Sequence, residues 1–267
     1  MRRIVSSTLL LLGFVAAACN NNSVVGGATA SPTPVPSPSE TPAPTPTPVP
    51  CQFYGIDSGS NLWIIDPVAI TAQMVGPTGK SNLTDIAITP DNRIIAITTG
   101  AAYELDAQTG HATVIANAAW LPQQDALDAL PDGRLLVGGG AKLVAIDISS
   151  GAQTTVGSIA SGRVFSGDVA ASGASSAIGT AKVTSGSGND HLVSFDVNTH
   201  AVTDLGDLGY PKVYGLDYGC DGNLYGMVAS TPPKLLRVNP TTGATTTLGT
   251  MAGGPTTLWG AAGPANP

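Results

Sequence analysis

The stretch LDAQTGHATVI (Leu105–Ile115) decides the fold, because the chain repeats it. It returns as IDISSGAQTTVG from Ile146, FDVNTHAVTDLG from Phe195 and VNPTTGATTTLG from Val238, with IDPVAITAQMVG from Ile65 as a weaker copy. Each copy reads strand, turn, strand. The Asp or Asn that opens the turn can accept bonds from backbone N–H groups, and a glycine four residues later (Gly110, Gly151, Gly243) supplies the positive φ of a short loop. His200 and Ile70 replace that glycine in two copies, so those two turns are expected to take another form. The acids or amides fall at 66, 106, 147, 196 and 239, a period of 40 to 49 residues.

Two further strands precede each copy, in LTDIAITPDNRIIAITTG, LDALPDGRLLVGGG and VYGLDYGCDGNLYGMVA, with Asp91-Asn92, Asp132-Gly133 and Asp221-Gly222 as tight-turn signals. Four strands per unit of about 40 to 45 residues is the period of a propeller blade. The first unit lacks its innermost strand, and TLWGAAGPANP at the C-terminus supplies one. The 28 residues after Asn239 and the 16 from Cys51 to Asp66 together make 44, one repeat. The expected fold is therefore all-β, a five-bladed propeller over residues 51–267 whose first blade is completed by the C-terminal strand, hiding both sheet edges. These blades resemble the NHL and YVTN-type repeat group, a resemblance that implies a fold and no particular activity.

Residues 1–18 read as an export signal. Arg2 and Arg3 precede an apolar run from Ile4 to Ala18, shorter than the roughly 20 residues that span a bilayer. The segment Val15-Ala16-Ala17-Ala18-Cys19 resembles the lipobox of bacterial lipoproteins, with Ala16 where a larger aliphatic is usual. The resemblance implies cleavage before Cys19, lipidation of that residue, and a cell-envelope protein anchored to the bacterial membrane and facing the periplasm or exterior. Residues 19–50 then form a linker in which Ser31 to Pro50 holds nine prolines in 20 residues. Such a stretch favours polyproline II and reaches roughly 60 Å at about 3.1 Å per residue.

With Cys19 acylated, Cys51 and Cys220 remain as an even pair in an oxidising compartment, and a bridge between them would clamp the ring where it closes. Two unpaired thiols are the alternative. The chain has a formal net charge of −7 and no basic footprint, which excludes nucleic acid as a partner; a monomer is expected.

Signals for chemistry are sparse. GPTGKS at Gly76 lacks the first glycine of a phosphate loop, and a strand rather than a helix follows it. His111, His191 and His200 fall at no metal-ligand spacing, and the lone Glu of the domain, Glu104, sits away from the channel, against glycosidase chemistry. Five acids fall on inner strands: Asp85, Asp125, Asp128, Asp168 and Asp217. Converging carboxylates would attract Ca²⁺ or Mg²⁺, and a metal-dependent, lactonase-like hydrolase acting in the channel is the alternative function. Asp85 aligns with Ala126 and Asp128 with Ala87, so the acids are not one repeated position. The favoured function is binding of a protein or glycan ligand by the blade-to-blade loops, which carry Lys80, Trp120, Arg163, Tyr210 and Lys212. These residue types form binding hot spots or sugar platforms; packing between blades is the competing role for the two aromatics.

Overall fold

The computed structural model describes residues 51–264, and the signal segment, Cys19 and the whole linker lie outside them. Twenty strands form five antiparallel four-stranded sheets, with no helix among the described residues. Blade 1 comprises β1 (Phe53–Asp57), β2 (Asn61–Asp66) and β3 (Thr71–Pro77), with β20 (Leu258–Ala262) as its innermost strand. Blade 2 runs through β4 (Asp85–Ile88), β5 (Ile94–Ile97), β6 (Ala101–Leu105) and β7 (Ala112–Asn117). Blade 3 holds β8 (Gln124–Ala129), β9 (Leu135–Gly139), β10 (Lys142–Ile146) and β11 (Gln153–Ser158). Blade 4 follows with β12 (Arg163–Ala171), β13 (Ser176–Val183), β14 (His191–Asp196) and β15 (Val202–Asp207). Blade 5 has β16 (Val213–Tyr218), β17 (Leu224–Val228), β18 (Lys234–Val238) and β19 (Thr245–Thr250).

The ring closes as the repeat arithmetic requires. β20 pairs antiparallel with β1, Tyr54 opposite Ala262 and Gly55 opposite Ala261. A Cys51–Cys220 disulfide, with Cα atoms 5.5 Å apart, ties the start of blade 1 to the inner hairpin of blade 5. The sequence separation of 169 residues makes the crosslink a long-range one.

Burial follows from position within a blade. The second strands are covered on both faces, so Ile94–Ile97 and Leu135–Gly139 read as continuous apolar runs rather than alternations. The core is divided into five clusters, one between each pair of neighbouring blades. Phe165 and Phe195, stacked with centroids 5.6 Å apart, fill the one between blades 3 and 4.

The repeated phrase explains how blades register on one another. Asp66, Asp106, Asp147, Asp196 and Asn239 each accept a backbone N–H from their own turn, as expected. That turn docks on the outer strand of the preceding blade. A Cβ on Gly76 would collide with the Thr109 carbonyl oxygen, so only glycine permits this approach. The expectation that the Ile70 and His200 turns differ is corrected. Both residues take the left-handed conformation (φ 55° and 63°), like Gly110, Gly151 and Gly243. Tertiary contacts hold them there: Ile70 packs into the core between blades 5 and 1, and its carbonyl accepts the Ala252 N–H, while His200 Nδ1 bonds the Val156 carbonyl.

Candidate functional site

The inner strands place one residue per blade at each level of the channel; register shifts at Asp125, between Phe165 and Val169, and at Tyr214 let consecutive residues contribute near the mouth, and below them every second residue comes inward. Nearest the blade-to-blade loops stand Thr84, Asp125, Gly167, Tyr214 and Trp259. The next residue in each strand is Asp85, Ala126, Asp168, Gly215 or Gly260, and two residues further come Ala87, Asp128, Ala170, Asp217 and Ala262. Acids and small residues therefore alternate in two layers, with Asp85 and Asp168 in the upper one and Asp128 and Asp217 below.

All four acids are buried, at 0 to 6% exposure. Each reaches a backbone N–H on, or for Gly263 one residue past, the inner strand of the next blade: Asp85 Oδ2 accepts from Leu127 (2.7 Å), Asp128 Oδ2 from Ala171 (2.5 Å), Asp168 Oδ2 from Leu216 (2.6 Å) and Asp217 Oδ2 from Gly263 (2.6 Å). The Oδ1 atoms of Asp85, Asp168 and Asp217 accept the N–H of the following residue in their own strand. Four carboxyls thus staple blades 2 to 3, 3 to 4, 4 to 5 and 5 to 1. Blade 1 carries no acid here and leaves room instead: a Cβ on Gly260 would collide with Asp85 Oδ1.

The upper pair meets across the axis. Asp85 and Asp168 act on one another's ionisation, the Asp85 charge raising Asp168. Burial raises both, and Asp217, well above the ordinary carboxylate range; burial likewise pushes Asp128 up to about 7. This donor set does not fit a divalent cation. The oxygens accept backbone N–H groups, and no grouping of three or more metal-ligating side chains exists among the described residues.

Above this plug lies an open mouth. A cavity of about 160 Å³ is lined by Thr84, Asp125, Ser166, Lys182, Tyr214 and Trp259. Asp125 Oδ1 is buried and has no hydrogen-bond partner. Burial pushes the Asp125 carboxyl up to about 7, with the Lys182 ammonium acting in the opposite direction. Ser166 Oγ donates to Asp190 Oδ2 (2.6 Å), which also accepts the Val213 N–H, so that acid is satisfied.

The five loop residues singled out in the sequence are distributed around the rim, and the fold does not gather them. Lys80 Nζ lies 5.5 Å from the centroid of the Tyr103 ring. Trp120 is half-buried against the core between blades 2 and 3. Arg163 Nη2 donates to His191 Nε2 (3.0 Å), and His191 Nδ1 donates to Asp204 (2.9 Å), so this histidine has an acid partner that its spacing did not announce. Tyr210 bonds Thr247 Oγ1 and packs on the core between blades 4 and 5, while Lys212 is exposed. Sequence reading missed Lys182, Tyr214 and Trp259. The two aromatics occupy the same inner-strand level as Asp125, which an alignment of the five inner strands brings out.

Residues 135–263 match a family described as a repeat of unknown function (DUF6923). The matched span runs from the second strand of blade 3 through the strand that closes the ring, so the similarity concerns the repeat architecture. No curated protein matches the chain.

Proposed function

We propose that this protein is a lipid-anchored binding protein of the cell envelope, whose propeller takes a glycan or protein ligand on the face formed by its blade-to-blade loops. One observation carries the choice of face. The Asp85–Asp168 layer is buried, and on the loop side of that layer the mouth is lined by a carboxyl whose Oδ1 has no hydrogen-bond partner, beside an ammonium and two aromatic rings. A buried acceptor without a donor costs about 1–3 kcal/mol, a cost removed when the carboxyl turns to take a ligand donor.

A glycan array and an envelope-protein pull-down with the propeller-bearing chain test this. Charge reversal on the loop face, Lys80→Glu with Lys212→Glu, should weaken whatever ligand is found. Arg134→Glu, in the β8–β9 turn at the other end of the channel, should not. Equal loss from both faces would overturn the choice of face. The anchor has its own test: Cys19→Ser should move the protein from the membrane fraction to the soluble one, and a variant that still pellets with membranes would sink that part of the reading.

A further inference from the structure

We infer that the channel mouth is a subsite for one neutral, polyhydroxylated ring, a single uncharged monosaccharide unit, held by Asp125, Lys182, Tyr214 and Trp259. The inference rests on the loop-face reading above and narrows it from a face to a pocket and from any ligand to an uncharged sugar.

The chemistry of the lining carries the choice. Asp125 Oδ1 is an acceptor with no donor just beneath the surface of the recess, within reach of a ligand once the carboxyl turns, and no hydrogen bond engages the Lys182 ammonium, the Tyr214 hydroxyl or the Trp259 indole N–H among the described residues; Lys182 acts on Asp125 and Asp190 through its charge alone. The site therefore has one free acceptor and several free donors. A hydroxyl group, which donates and accepts at once, matches both kinds. A cation would meet the Lys182 ammonium, and an anion would meet Asp125 with Asp190 behind it. A neutral ligand carries neither penalty. Two aromatic side chains from adjacent inner strands, β16 and β20, provide the flat apolar surface against which the C–H face of a pyranose packs. Asp85 and Asp168, buried one residue deeper in the strands, form the floor on which the ligand seats.

Saturation-transfer NMR and tryptophan fluorescence with D-glucose, D-galactose, D-mannose and N-acetyl-D-glucosamine test the inference, with D-glucosamine and D-glucuronate as charged counterparts. At least one neutral sugar should bind, and more tightly than both charged ones. Asp125→Ala should weaken it by about ten-fold or more, the scale of one hydrogen bond to a charged group, and Trp259→Leu should do likewise. Asp125→Asn, which preserves volume, guards against loss through misfolding and should also weaken binding; near-UV circular dichroism verifies the fold of each variant. Binding by none of the four neutral sugars would overturn the inference, as would tighter binding of a charged counterpart. Sugar binding that survives Asp125→Ala and Trp259→Leu but falls with Lys80→Glu and Lys212→Glu would overturn the pocket and leave the loop-face reading standing. Absence of any array or pull-down ligand would remove that reading as well.

Discussion

Replacing Asp128 by asparagine should make the protein more stable at alkaline pH and less stable at acid pH, although Asp128 is a hydrogen-bonded staple. The sign follows from where the proton sits. Burial holds the folded Asp128 carboxyl at about 7, against ~3.9 for an unfolded chain. A group raised on folding contributes stability that is complete below the unfolded value and is lost as pH rises through the folded one. At ~1.4 kcal/mol per pH unit, this gap is worth about 4 kcal/mol. Asp128 is 6% exposed, so solvent screening does little to reduce it. Asp85, Asp168 and Asp217 are raised for the same reason and add slope of the same sign. The turn acids Asp106, Asp147 and Asp196 act oppositely, because N–H bonds within their turns lower them, and their contribution fades only as pH falls below the ordinary carboxylate range. The wild type should therefore be most stable near about pH 4 to 5 and lose several kcal/mol by about pH 8. The asparagine side chain of the variant would keep one acceptor for the two N–H groups, of Ala171 and Ala129, that Asp128 serves, costing about 1–3 kcal/mol, but it never ionises. The variant's stability line should thus be flatter and cross the wild-type line at intermediate pH. Urea unfolding across pH, followed through the three tryptophans, measures both lines. Wild-type stability that rises from about pH 5 to 8, or parallel lines for the two proteins, would refute the reasoning.

Two further outcomes test the architecture. Gly76→Ala should cost about 3 kcal/mol, because its methyl group would enter the Thr109 carbonyl of the docking turn, whereas Gly100→Ala, with open space around it, should change the urea midpoint little. In the unfolded, unreduced propeller, thiol titration should find neither Cys51 nor Cys220 reactive and both reactive after reduction; the double Ser variant should lose up to about 5 kcal/mol, given the 169-residue separation.

The blade count, the closure by β20 and the partner of Cys51 were legible in the sequence because each rests on something local and repeated: a capped turn, a fixed period, an odd strand at each end. The inner-strand acids were legible as inner-strand acids. Their role was not, because the mismatch of Asp85 with Ala126 and of Asp128 with Ala87 resolves into two layers only when the five strands stand around one axis. Their partners are backbone N–H groups 42 to 48 residues away, and backbone groups leave no mark in a sequence. Ile70 and His200 show the same limit from the other side. Local preference argues against a left-handed conformation at either, and contacts with the neighbouring blade override it. Trp120 and Tyr210 have the composition of a binding surface, yet their half-burial depends on how the loops fold back over the blades.

The alternation of acid and small residue joins architecture to function. Five strands around one axis form a ring narrow enough for carboxyls from blades 2 and 4 to meet across it, as Asp85 and Asp168 do. Five acids in one layer would crowd like charges in a dry site, and five apolar residues would leave the inter-blade N–H groups of the channel wall without side-chain acceptors. Two acids per layer, separated by Gly or Ala, satisfy four of those N–H groups. The plug that results does for the ring what a core does for a sandwich. It also sets the mouth above a buried floor, with Asp125 on β8 one residue before Ala126 of the upper layer. Beside that mouth Asp125 Oδ1 stays without a partner, and a site whose lining is held on strands loses little entropy when a ligand fills it.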